Sequence, residues 1–122
     1  MKTAIIALML LISVLALVIA NSIILNNIIE KLTVGVEALE TENPSVTHSQ
    51  LIKLYGEFKS RRGYIGLTVN HNDITSIEAS FSELFGAAEA GDTETVTIVK
   101  SRLVSELTHL GRLSGINFDS IF

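Results

Sequence analysis

The sequence predicts an all-α protein, an N-terminal transmembrane helix followed by an antiparallel three- or four-helix bundle. Three observations carry that expectation. A run free of charge lies between Lys2 and Glu30. Beyond it, apolar residues recur at helical spacing in four stretches separated by short clusters of turn residues. The chain also holds one proline and no tryptophan, which suits a mainly helical protein.

The charge-free run has a core, Ala4 to Ala20, in which Ser13 is the sole polar interruption. Its 17 residues would span about 26 Å as a helix, and extension through Leu25 gives about 33 Å, enough for a hydrocarbon layer of about 30 Å. Eleven of the 17 are Leu, Ile or Val. Together they favour the bilayer by about 3–7 kcal/mol on an insertion scale. We therefore assign residues 1–25 to a transmembrane anchor and 26–122 to an extracytoplasmic helical bundle. A cleaved signal peptide competes with this reading, because Val18-Ile19-Ala20 places a small residue ahead of Asn21. The core is longer than a usual signal, however, and the helical pattern runs on through Ile23, Ile24, Leu25, Ile28 and Ile29. Lys2 and the α-amino group lie on the short side of the run, so the positive-inside rule keeps the N-terminus in the cytoplasm and exports the rest. The expected location is the cytoplasmic membrane, crossed once.

The first amphipathic stretch continues out of that run, with Leu25, Ile29, Leu32, Val36 and Leu39 at 4-3-4-3 spacing on one face. It should stop before Asn43-Pro44, since proline disfavours helix at the preceding residue. The second opens at Thr47-His48-Ser49-Gln50, which has capping-box spacing, and carries Leu51, Leu54, Tyr55, Phe58, Ile65 and Val69. In the third, capped from Val69 to Asp73, the stripe is Ile74, Ile77, Phe81, Leu84, Phe85 and Ala88. Gly91 should end it and Asp92 should cap the fourth, whose stripe runs Val96, Val99, Leu103, Leu107 and Leu110 before Gly111 and Gly115 close it. One long bent helix over the second and third stretches is the alternative. In an antiparallel bundle the C-terminal tail returns toward the bilayer. There Phe118, Ile121 and Phe122 would cover the bundle end or dip into the membrane interface.

Composition narrows the function. With no cysteine, a thiol nucleophile, a disulfide framework and a Cys-based metal site are excluded. From Glu30 onward eight basic face thirteen acidic residues, a net −5, so nucleic acid is not an expected partner. The same charge repels the exported part from anionic headgroups except through local features. Arg61-Arg62 reads as a solvated or snorkelling pair, with an anion site as the alternative.

The apolar N-terminal anchor, the helical body, the block Thr68-Val69-Asn70-His71-Asn72-Asp73-Ile74, the stretch Leu103 to Leu110 and the end Ile116-Asn117-Phe118-Asp119-Ser120-Ile121-Phe122 together resemble one known family. It is the domain-of-unknown-function family 4363, small anchored proteins of spore-forming Gram-positive bacteria. The resemblance spans nearly the whole chain. Phe58 and Ile65 stand where such proteins often carry tryptophan, and Thr75 and Ser120 stand in place of an acidic residue and an asparagine. The resemblance implies architecture and an extracytoplasmic location; it brings no activity and no catalytic residue.

Among the chemical groupings, His71, Asp73 and His109 are the sharpest metal candidate, since imidazole and carboxylate suit zinc. The plainer account has His71 and Asp73 capping a helix start and His109 stabilising a helix end. No serine sits in a nucleophile elbow and the glycines make no phosphate loop, so neither an enzyme nor a cofactor is expected. Tyr55, Phe58, Phe81 and Phe85 read as core. The leading function is a noncatalytic anchored module of the cell envelope, touching lipid through its first helix and binding an envelope protein or a second copy of itself. Self-association would use the seam Leu25, Ile29, Leu32, Val36 and Leu39, unless that seam serves its own bundle. The alternatives are a ligand-sensing accessory subunit and, on cleavage after Ala20, a secreted helical domain.

Overall fold

No helix breaker separates the apolar run from the first amphipathic stripe, and the computed structural model carries both on one helix, α1 (Lys2–Glu37). It describes residues 1–67 and 69–121, with side chains at all of these except 112–121. Three further helices follow, α2 (Pro44–Gly66), α3 (His71–Ala90) and α4 (Thr93–Ile121). The 36 residues of α1 extend about 54 Å, well beyond the others. Its C-terminal half is one corner of an all-helical bundle in which α1 and α3 each pack on α2 and α4. Of these four adjacent pairs α1–α4 makes the most extensive contact and α1–α2 the slightest.

The stripes become the core. Leu25, Ile29, Leu32, Val36 and Leu39 are buried, together with Leu51, Leu54, Phe58 and Ile65 of α2. Opposite them lie Ile74, Ile77, Phe81 and Leu84 of α3, and Val96, Val99, Leu103, Leu107 and Leu110 of α4. The seam of α1 is thus used within its own bundle. Phe58 and Phe81 stack at a tilt with centroids 5.5 Å apart, and Tyr55 meets Phe81 and Phe85 edge-on at 5.4 and 5.9 Å. Such pairs add to the burial they accompany. α1 and α2 approach closely at Gly35, where a Cβ would stand 2.4 Å from Leu54 Cδ2.

The helix ends depart from the sequence reading at three places. α1 ends at Glu37, and α2 begins at Pro44 with Asn43 as its N-cap, three residues ahead of Thr47. The capping box does not form, because Thr47 is buried inside the helix and its hydroxyl donates to the carbonyls of Glu40 and Asn43. Gln50 reaches back instead to accept from the Glu40 N–H at 2.7 Å, so both residues tie down the connection rather than the helix start. At α3 the cap is Asn70, whose Oδ1 accepts from the Asn72 N–H at 2.9 Å. His71 is the first residue of the helix and Asp73 lies in its first turn, where a carboxylate favours the helix dipole. This break separates α2 from α3, so the single bent helix is not formed.

The third departure is α4, which continues through Gly111 and Gly115 to Ile121. Glycine in a helix interior costs about 0.5–1 kcal/mol relative to alanine, which packing along a neighbouring helix can offset. Gly111 lies against α1, where an added Cβ would be 3.7 Å from Ile29 Cγ2. The α3–α4 turn follows the expectation. Gly91 takes φ 70°, and the Asp92 N–H donates to the Ala87 carbonyl at 2.9 Å, closing α3. Asp92 then caps α4 by accepting from the Thr95 N–H at 3.1 Å and the Thr95 hydroxyl at 2.6 Å. These two donors hold its carboxyl below the ordinary carboxylate range.

Candidate membrane interface

A helix that is apolar on every side finds no single core to face. On α1 the large side chains from Ile5 to Val18 are all exposed, and the first buried residue is Leu25. The exposed part is long and apolar enough to cross a membrane. Its lone interior polar group is satisfied within the helix, since the Ser13 hydroxyl donates to the Met9 carbonyl at 2.9 Å. In hydrocarbon, where no water can serve as partner, that bond keeps the cost of Ser13 small. Lys2 opens the helix and no acidic residue follows before Glu30.

The transition from exposed apolar run to packed stripe is marked by Asn21 and Ser22, both half-buried. The Tyr64 hydroxyl, in the last turn of α2, donates to Asn21 Oδ1. This bond fixes the end of α2 beside the first polar residue beyond the apolar run. At the opposite end of the bundle Lys100 Nζ donates to the Leu39 carbonyl at 2.9 Å, and His48 packs edge-on against Phe85. The connections therefore alternate: the α2–α3 turn lies at the apolar-run end, and the α1–α2 and α3–α4 turns lie at the far end.

Between α1 and α2, the loosest of the four contacts, a groove of about 320 Å³ is lined by Asn27, Lys31, Glu57, Ser60 and Arg61 among others. Its neighbour Arg62 behaves differently, donating from Nε to Glu78 at 3.2 Å and forming an ion pair through Nη2 at 3.1 Å. The adjacent arginines are thus split, one tied to α3 and one lining the groove.

Asp73 and His109 share a second shallow groove on the α3–α4 side with Arg102 and Glu106. His71 does not line it, and among the described residues no three His, Asp or Glu side chains are placed to hold an ion. Arg102 instead serves the fold. It pairs with Glu83 at 2.8 Å and donates to the buried Ser80 hydroxyl at 3.3 Å, while that hydroxyl donates to Glu106. The side chains of Phe118 and Ile121, and the whole of Phe122, lie outside the described residues.

Sequence reasoning missed the Tyr64–Asn21 bond and the α1–α2 groove. The available signal was slight: an asparagine pair at Asn26-Asn27 following a lone Asn21, and an arginine pair one turn before Tyr64. No protein-family model matches the chain, and no curated protein or solved structure does so either.

Proposed function

We propose that this protein is a noncatalytic, single-pass membrane-anchored helical module, N-terminus inside, that holds a protein-interaction bundle at the outer face of the cytoplasmic membrane as a component of the cell envelope. The observation that carries the reading is the change of character along one unbroken helix. α1 leaves its first half bare of any packing partner and contributes its second half to the core. An anchor continuous with the bundle confines it to two dimensions and raises its effective concentration toward any envelope partner. Among the described residues the buried polar side chains, Thr47 and Ser80, are both spent on holding the fold, which supports a noncatalytic role. The resemblance to small anchored proteins of spore-forming bacteria agrees with the same architecture.

Orientation is tested by single cysteines in this cysteine-free chain. A membrane-impermeant thiol reagent applied to intact cells should label Ile98→Cys directly and Thr3→Cys only after permeabilisation; the reverse pattern contradicts the proposed topology. Photo-crosslinking from Ile52 or Ile98, both exposed and apolar on the bundle, should capture a discrete envelope protein, and a bundle that yields no adduct argues against the interaction role.

One observation keeps the secreted form as a second reading. Every buried residue of α1 lies after Ala20, so a chain cut there would retain the whole core.

A further inference from the structure

The end of the bundle that faces the apolar run carries a surface of its own, built from parts far apart in sequence. Helical side chains tilt toward the N-terminus of their helix. The Tyr64 side chain therefore leans away from the α2–α3 turn, and the Cα of Tyr64 lies closer to the apolar-run end than its hydroxyl does. That hydroxyl already meets Asn21. Leu67 follows three residues later, about 4.5 Å farther in the same direction. It is the C-cap of α2, and it is 82% exposed, the most exposed large apolar side chain of the bundle among the described residues. A leucine so bare is ordinary on a surface by itself. Here, however, it stands beside the last residues of a run that is itself bare and apolar.

Above this leucine is the α1–α2 groove. With Lys2 at one face of a hydrocarbon layer of about 30 Å, the other face falls near residue 22. Asn27 then lies about 7.5 Å beyond it, at the outer limit of a headgroup layer of roughly 5–7.5 Å. Lys31 is one turn higher on the same groove, and its side chain leans back toward the membrane. Arg61, on the facing helix, lies one turn above Tyr64. Neither Lys31 nor Arg61 has an ion-pair partner among the described residues; Glu57 lines the groove but pairs with neither. Two unpaired cations with Asn27 line a cleft at the outer edge of the headgroup layer, into which the long Lys31 side chain leans, while the Ser60 hydroxyl beside them is spent on the Glu57 carbonyl at 2.8 Å.

We infer that the membrane-proximal end of the bundle docks on the bilayer, with Leu67 inserted among the acyl chains of the adjacent leaflet and Lys31 and Arg61 holding the phosphate of an anionic phospholipid in the α1–α2 groove. This rests on α1 spanning the membrane. Such a contact would fix the tilt of the bundle, which a single helix leaves free, and present the acidic far end, with Glu37, Glu40, Glu42, Glu89, Asp92 and Glu94, away from the membrane.

The full chain, reconstituted in vesicles, tests it with an environment-sensitive dye on one cysteine at a time. Leu17→Cys reports the spanning segment, Leu67→Cys the docked turn, and Ile98→Cys, 61% exposed at the opposite end, the free surface. With phosphatidylcholine and phosphatidylglycerol mixed, dyes at Leu17 and Leu67 should be blue-shifted and quenched by lipid-borne quenchers, while Ile98 stays aqueous. In phosphatidylcholine alone, or with Lys31→Gln and Arg61→Gln, the docked-to-free ratio at Leu67 should fall by about fivefold per cation lost. Leu17 in lipid with Leu67 in water overturns docking and leaves the anchor standing. Leu17 in water overturns the anchor itself. A Leu67 signal in lipid that ignores both phosphatidylglycerol and the two glutamines overturns the headgroup site, and lipid signals at all three positions overturn the upright bundle.

Discussion

The two halves of α1 make one helix with two different surfaces. From Ile5 to Val18 large apolar side chains cover every face and all are exposed, whereas from Leu25 to Val36 only every third or fourth residue is buried and the rest are polar or partly exposed. The difference shows what hydrophobicity means in each setting. A helix in lipid needs apolar side chains all round, because its surroundings are apolar all round; a helix in a water-soluble bundle needs one stripe. The boundary between the two halves is marked by Asn21 and its bond from Tyr64, which ties the bundle to the end of the apolar run.

Truncations break this comparison most forcefully. Leu103 is fully buried, so Leu103→Ala should destabilise the bundle by about 2–5 kcal/mol, whereas Leu10→Ala, on a bare face, should change bundle stability by less than about 0.5 kcal/mol. Denaturant titration followed by near-ultraviolet tyrosine signals measures both. A charge reverses the ranking. Leu10→Lys should cost membrane insertion about 2.5–3.5 kcal/mol and shift the protein toward the soluble fraction, with the bundle intact.

Much of this architecture was legible beforehand, because periodicity reports directly on which solvent each face meets. The four stripes, the reversal at Gly91 and the cap by Asp92 all follow from local rules. The misreadings share a cause: each concerns a group whose partner lies outside its own helix. Thr47 looks like a helix cap until Glu40 offers its carbonyl, and Gly111 looks like a helix stop until α1 lies against it. Gly35 gives no sequence signal of the Leu54 side chain that fills its missing Cβ. The candidate interface divides in the same way. Its spanning length could be counted along the chain, while the groove between Lys31 and Arg61 exists only once α2 folds back along α1.

Smaller effects sharpen the picture of the bundle half. Ser80→Ala removes a buried hydroxyl that bridges Arg102 and Glu106, and we expect a loss of about 1–2 kcal/mol by denaturant titration. Asn70→Ala removes the cap of α3 and should cost about 1 kcal/mol, with helicity lost first at the α2–α3 turn in amide exchange. The least effect is a pH dependence. The Asp92 carboxyl is held below its ordinary range by Thr95, so its contribution is fully present above the unfolded pKa and fades as pH falls through the folded one. Asp92→Asn should flatten that acid limb of the stability profile and leave the neutral region nearly unchanged.

The central claim is that both halves of α1 stay joined, one in the membrane and one in the bundle. The most direct test is to express the full chain, separate membranes from medium, and measure the intact mass in each fraction. The account predicts a membrane-bound species at 13.2 kDa. A released species that begins at Asn21, with the bundle folded and the apolar run gone, would contradict it.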